Sequence, residues 1–407
     1  MPDFFQHFRL PTLHHLADCD LAAREAELAE WAKTSPIALL LPALYSEFEK
    51  PALQRMLRQI ADVPYISEVI LSVNRATAAQ IKIAQAQANE WLGNKPVTLL
   101  WNDGPALKAV HRELEKHGMP PYRAGKGSNI WMGVAYLAAR REHRIVVSHD
   151  TDILSYERGL LWRLCYPVAH PEMPYRFAKG YYGRVGDRMY GRVTRLLVLP
   201  LIHAFMEVQG RSPLLEHLEG FRYPLSGEFC ADLETLSSFE MPRGWGLEMC
   251  LLCEVFEHLR THELCQVDLG FNFEHRHRSV SNAPAANAFV TGLVASATEV
   301  ASTLAAHVAA GSSAAENTSL LNSVISAYRK IALEWVPRYQ HDAHLNGLRF
   351  DVADEQNAVQ VFTAALVDAF QIQEGDIGPR CVEQPSCKQT LAQVPGIGDA
   401  IIAAAIR

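Results

Sequence analysis

The sequence is poor in the features that would mark a secreted, membrane-embedded or nucleic-acid-coating protein. Its eight cysteines have no disulfide-like spacing, and the N-terminal MPDFFQHFRL lacks the apolar core of a signal peptide, so a cytoplasmic protein with reduced thiols is expected. There is no internal repeat and no block of like charge. A net charge of −7 excludes a surface built mainly to neutralise nucleic-acid phosphates, while a local basic pocket for a small anionic ligand remains open. Only residues 286–310 approach the length of a membrane span. They are mostly alanine, threonine and serine and contain Glu299 and His307, which points to a packed amphipathic helix and no membrane partner.

What is present is a 407-residue chain with 49% hydrophobic residues, enough for one large domain or two ordinary ones. A helical lead-in near residues 20–33 precedes an alternation of short apolar runs and helix-periodic segments. These are PIALLLPAL, KPALQRMLRQIADV, ISEVILSV, AAQIKIAQAQANEWL, PVTLLW, SNIWMGVAYLAARR and RIVVSHD. That βαβ series predicts an α/β fold with a mostly parallel sheet covered on both faces. Residues 155–280 mix helices with short strands such as QVDLGFNF. The Ser/Asn/Pro/Ala-rich SVSNAPAANA then marks a boundary to a helical region with SLLNSVISAYRKIALEWV and NAVQVFTAALVDAF. The expected division is 1–35, 36–154, 155–280 and 281–407.

Ligands of parallel sheets bind beyond the carboxyl ends of the strands, where both Pro42-Ala43-Leu44 and Asp150-Thr151-Asp152 fall. Two aspartates one residue apart beside a buried strand are costly unless something positive sits with them. They can offer oxygens to a hard divalent cation, the remaining positions being filled by water and a ligand's phosphates, or one can cap a helix while the other is solvated. Upstream, Gly125-Lys126-Gly127 forms a turn before a helix, where backbone amides and an ammonium can meet an anion.

A Pro-Ala-Leu after the first long strand, a Gly-Lys-Gly turn and a strand-terminal Asp-x-Asp follow the order used by GT-A type nucleotide-sugar transferases. FAKGYYGR, GRVTRLLVLPL, YPLSGEFCADLETL, GWGLEMCLL and QVDLGFNFEHRHR resemble successive motifs of the glucosyl-3-phosphoglycerate synthases, a match over roughly residues 36–280. The resemblance implies a GT-A type, Rossmann-like sheet with a helical C-terminal extension. It also implies a metal-dependent, retaining transfer of glucose from a nucleotide sugar, with UDP-glucose the expected donor, to the 2-hydroxyl of D-3-phosphoglycerate.

Carried onto this chain, the resemblance gives Asp152 and His275 to Mg²⁺ or Mn²⁺, and Asp150, with Thr151 beside it, to the nucleotide or sugar. Pro42, Ala43, Leu44 and Glu47 line the nucleotide pocket with Lys126 nearby. Gly191, Arg192, Val193 and Thr194 meet the acceptor, assisted by His277, and Glu248 orients the attack. An arginine fork suits a phosphate or carboxylate; the competing role for Arg192 is an ion pair with a carboxylate such as Asp187. Glu248 has an alternative as a first-turn helix glutamate. Two departures leave base and sugar preference open: PALYSEFEK lacks the usual Asn-Glu, and SVNRAT stands where the family has an Asp-containing stretch. A homodimer is the expected assembly, with residues 281–407 serving oligomerisation or covering the active site.

Other readings compete. A transferase using mannose or glycerate is the nearest, and a module that binds nucleotide sugar or DNA without catalysis is the more distant. CLLCEVFEHLRTHELC, with Cys250, Cys253, His262 and Cys265, has the look of a zinc site but reads better as a packed helix leading to a strand. LAQVPGIGDAIIAAAI resembles half of a helix-hairpin-helix element, but one copy in an acidic chain leaves no nucleic-acid partner expected.

Overall fold

The computed structural model describes residues 6, 10–270, 286–308, 314–371 and 384–407, with the backbone alone for 286–292, 314–318 and 371. After β1 (Thr12–Leu13) and α1 (Leu21–Ala32) come β2 (Ile37–Leu44), α2 (Tyr45–Phe48), α3 (Pro51–Ile60), β3 (Ile66–Asn74), α4 (Ala78–Leu92), β4 (Val97–Trp101), α5 (Pro105–Lys116), α6 (Lys126–Arg140) and β5 (Ile145–Ser148). The central part adds α7 (Arg158–Ala169), β6 (Phe177–Tyr181), a π-helical turn Val193–Val198 running into α8 (Leu199–Gln209), α9 (Pro213–Glu219), β7 (Phe229–Asp232), α10 (Leu233–Ser237), α11 (Leu247–His258) and β8 (Leu264–Asp268). The C-terminal part holds α12 (Ala286–Val308), α13 (Ala314–Leu345), α14 (Val352–Gln371), α15 (Cys387–Gln393) and α16 (Ile397–Ala404).

The strands form one sheet of order β1-β8-β6-β7-β5-β2-β3-β4, in which β7 alone runs antiparallel to its neighbours β5 and β6. The apolar run of β2 follows from this geometry. Successive side chains point to opposite faces, and both faces are covered. Ala38 and Leu40 join the core around Ile130 and Val134 of α6, while Leu39 and Leu41 join that of Leu53 and Leu57 of α3. Gly133 lets α6 approach closely, since a β-carbon there would collide with the Leu40 side chain. Local signals set the helix starts: Thr77 and Gln80 form a capping box on α4, and prolines open α3 and α5.

The C-terminal helices share the α6-side core. Val300, Leu304, Val324, Tyr328 and Phe362 pack in one continuous cluster with Leu197, Leu201 and Phe205, and Tyr328 Oη donates to the Leu196 carbonyl at 2.7 Å. The span-length segment is thus the packed helix α12, and among the described residues no helix is long and apolar enough to cross a membrane. The hairpin-like VPGIG turn joins α15 to α16, which lies against Ala139 of α6. Beyond it, Ile406 exchanges two backbone hydrogen bonds with Leu99, which covers the edge of β4.

Candidate active site

The site is built at the carboxyl ends of the parallel strands. Antiparallel β7 pairs Phe229 with Ser148, so the residues just before β7 and just after β5 meet there. Asp150 N donates to Glu228 Oε1 at 3.3 Å, and Thr151 Oγ1 donates to the Pro42 carbonyl at 3.3 Å. Gly227 is required by the close approach, because a β-carbon would strike the Asp150 carboxylate.

Lys126, the first residue of α6, supplies the positive charge that Asp150 requires. Its ammonium lies 2.5 Å from Asp150 Oδ1 and 2.6 Å from Glu248 Oε1 in the first turn of α11. Burial alone would lower the Lys126 pKa, but the two carboxylates outweigh it and the net movement is upward. Lys126 therefore stays charged as a fixed bridge.

Within the Gly-Lys-Gly turn, the Gly127 amide is occupied by the protein itself. Gly127 N donates to Gly244 O and Ser128 N to Arg243 O, and β-carbons at Gly125 or Gly127 would collide with the Arg243 and Pro242 carbonyls. The turn instead lies flat against the loop that leads to Glu248. Glu299 of α12 reinforces this junction by binding the Trp245 amide and the Arg123 guanidinium, which accounts for a charge inside an otherwise apolar helix.

Three titratable groups in or near the site gave no sequence signal. Lys179 on β6 is fully buried and donates to the Ser226 carbonyl. Burial lowers its pKa to about 8 against the opposing pull of Glu248 and Glu228. His149 is fully buried and its two ring nitrogens have no partner among the described residues; burial depresses its pKa to about 3 against Asp150. Arg184 is half-buried, with Nη1 3.5 Å from Tyr223 Oη. Burial opposes its charge, and Tyr223, Tyr182 and Asp152 more than offset this, moving its pKa up.

Of the residues singled out from sequence, Lys126, Asp150 and Glu248 are in direct contact. Pro42, Ala43 and Leu44 end β2 beside them: Asn129 Nδ2 reaches the Ala43 carbonyl at 3.5 Å, within a buried network of Ser72, Asn102 and Asn129. Glu47 pairs with Lys50 at 2.6 Å. Asp152 follows in the turn after β5, within the electrostatic reach of Arg184. Gly191, with φ +74°, stands 3.6 Å by its notional β-carbon from the Tyr223 ring, which links the GRVT segment through Tyr223 and Arg184 to Asp152. Val193 and Thr194 begin the π-helical turn, and Thr194 is buried.

Arg192 does not pair with Asp187. Its Nε lies 2.6 Å from Glu355 Oε1 and its Nη2 binds Asp354, both on α14, whereas Asp187 is held by Tyr190 and Arg349. His275 and His277 lie outside the described residues. Among the described residues no three His, Cys, Asp or Glu side chains converge as metal ligands would. Cys250 and Cys253 are buried on α11, Cys265 on β8, and His262 lies in the short turn between them. The oxygen donors at the strand end, with Asp150 committed to Lys126, suit a hard cation that takes its remaining oxygens from a ligand's phosphates and water.

No family model matches the chain. The glucosyl-3-phosphoglycerate synthase of Persephonella marina is 36% identical over 370 residues, covering 91% of this chain and 90% of that protein. The enzyme of the same name from Methanococcoides burtonii is 28% identical over 412 residues, covering 99% and 97%. A crystal structure of the Mycobacterium tuberculosis glucosyl-3-phosphoglycerate synthase in complex with Mn²⁺, UDP-glucose and phosphoglyceric acid superimposes with a TM-score of 0.55 at 25% identity, over 75% of this chain and 90% of that one. An alignment of 370 residues is longer than the first 280 can supply. The likeness therefore continues into the C-terminal helices, correcting the expectation that it ends near residue 280.

Proposed function

The chain belongs to the glucosyl-3-phosphoglycerate synthase family, and on that premise we propose that it transfers glucose from UDP-glucose to the 2-hydroxyl of D-3-phosphoglycerate with retention of configuration. The observation that carries this reading is the Asp150–Lys126–Glu248 bridge at the carboxyl edge of the sheet. Lys126 holds a carboxylate on either side, so that Asp150 faces the donor and Glu248 faces the acceptor hydroxyl. Glu248 presents carboxylate oxygens that accept hydrogen bonds, one of them from Lys126, and is suited to orienting sugar and acceptor hydroxyls.

Pro42, Ala43, Leu44 and Glu47 form the nucleotide side, with Thr151 fixed to the Pro42 carbonyl. Gly191, Arg192, Val193 and Thr194 form the acceptor side, His277 assisting. Mg²⁺ or Mn²⁺ would be held by Asp152 with His275, where it would neutralise charge developing on the diphosphate leaving group. The buried Lys179, whose pKa burial lowers to about 8, contributes a second positive charge that interacts with Glu248 and Glu228. A homodimer in the cytoplasm completes the reading; buried free thiols at Cys165, Cys230, Cys265 and Cys387 support the reducing compartment.

The test is an activity matrix of UDP-glucose, GDP-glucose and GDP-mannose against D-3-phosphoglycerate and D-glycerate, with and without divalent metal. Transfer from UDP-glucose to phosphoglycerate should dominate. Exclusive use of a mannosyl donor or of glycerate would overturn the assignment.

A further inference from the structure

The segment that carries GRVT is gripped along its length by α13, α14 and the turn between them. Arg349 binds the Asp187 carboxylate, and its amide donates to the Asp187 carbonyl at 3.0 Å. Tyr328 Oη holds the Leu196 carbonyl, and the Arg195 guanidinium stacks 4.6 Å over the Tyr339 ring. At the centre, Glu355 spans two arginines, with Oε1 2.6 Å from Arg192 Nε and Oε2 3.1 Å from Arg195 Nη2. Asp354 reaches Arg192 alone, through Nη2. Two arginines thus face two carboxylates, leaving no net charge for an incoming anion unless one carboxylate yields. The two acids differ in the property that decides which one yields: the Glu355 side chain is 5% exposed and that of Asp354 is 26% exposed.

We propose that Asp354 and Glu355 have opposite roles at Arg192, a reading that rests on the acceptor assignment of GRVT. Glu355 is a positioning residue, a permanent strut that aims the Arg192 fork and locks Arg195 behind it. Asp354 is an exchangeable partner, occupying Nη2 until the anionic group of the acceptor displaces it. Nη2 then turns to substrate, and Asp354, the more exposed of the two acids, is the carboxylate that can swing away toward solvent. A dianionic phosphate monoester competes for such a fork better than a carboxylate does. α14 therefore sets the affinity for the acceptor without touching the donor.

The two acids should move the acceptor KM in opposite directions. Asp354→Asn removes the competitor, and the acceptor KM should fall at least about twofold, with kcat and the UDP-glucose KM unchanged. Glu355→Gln releases the fork, and the acceptor KM should rise at least about tenfold with the UDP-glucose KM unchanged, Glu355→Asp recovering part of the loss. The deciding experiment is kinetics with UDP-glucose, D-3-phosphoglycerate and Mg²⁺ on wild type and the three variants, with a thermal melt of each. A wild type that does not glucosylate phosphoglycerate overturns the acceptor reading and the opposed roles of the two acids with it. An active wild type whose Asp354→Asn variant shows a raised or unmoved acceptor KM overturns the opposed roles alone. If Glu355→Gln does not fold, Asp354→Asn at the more exposed of the two acids still supports or overturns the proposal by the direction in which its acceptor KM moves.

Discussion

Lys126 decides the electrostatics of the site, and its removal should cost both stability and activity. Two largely buried carboxylates would be left facing each other without their counter-ion, a loss on the order of 3–5 kcal/mol. Lys126→Met should therefore melt well below wild type at pH 7 and lose at least about a hundredfold in kcat/KM, in line with the loss of a preorganised charge. Melts and kinetics of both proteins at pH 7 check this, and a variant that melts with wild type and keeps its activity would show that Lys126 is not what offsets Asp150 and Glu248.

His149 gives the opposite kind of residue-scale test. Its pKa is depressed from 6.5 to about 3, so the unfolded chain binds the proton before the folded protein does. Its contribution to stability is complete above about pH 6.5 and is lost as the pH falls toward 3, about 2 kcal/mol of it between pH 7 and pH 5. Because both ring nitrogens lack partners among the described residues, an apolar replacement sacrifices no hydrogen bond. His149→Leu should be at least as stable as wild type at pH 7 in urea titration and should weaken less at pH 5. A variant less stable at pH 7 would reveal a hydrogen bond that the structure does not contain.

At the scale of elements, the close approach of the β7 and β5 ends is set by Gly227. Gly227→Ala would push a methyl group into the Asp150 carboxylate. The expected outcome is a fall of at least about tenfold in kcat with a melting temperature within a few degrees of wild type, since the strain falls on the site side of the strand. Unaltered kcat would show that Asp150 can move without consequence. The elements themselves were largely legible: β2 reads as a strand because both faces are buried and its run is apolar, β3 through the apolar Val69-Ile70-Leu71 at the centre of ISEVILSV, and α4 reads over Ala78–Leu92 through its 3.6-residue period. Lys126 and Asp150 could be singled out because they occupy helix and strand ends, and Glu248 through the resemblance carried by GWGLEM. Lys179 could not, since FAKGY offers no sign that the lysine points inward and the groups that accept its charge are distant in sequence. Asp354 and Glu355 were hidden for another reason: acids in a helix first turn are expected on macrodipole grounds alone.

For the whole molecule, the sequence boundary near SVSNAPAANA divides the chain by composition, yet the core is continuous across it. α12, α13 and α14 cover apolar residues of α8 and of the π-helical turn, and Glu299 and Glu355 reach back to the loops that carry Glu248 and Arg192. A chain ended at residue 280 should therefore expose the Leu197–Leu201–Phe205 surface, bind a hydrophobic dye and lose its near-UV dichroism while keeping far-UV signal. A truncated protein with native near-UV dichroism and a cooperative melt would separate the two parts.

We propose that Asp150, Lys126 and Glu248 lie at the centre of a metal-dependent, retaining glucosyl transfer to phosphoglycerate. The most direct measurement is proton NMR of the product formed from UDP-glucose and D-3-phosphoglycerate by the full chain with Mg²⁺, beside a chelated sample and the Lys126→Met variant. One new α-anomeric proton signal should appear, with the glycerate H2 resonance shifted by substitution at its oxygen, both absent under chelation and nearly absent in the variant. A β-anomeric product, a product formed at full rate under chelation, or release of free glucose without transfer would contradict it.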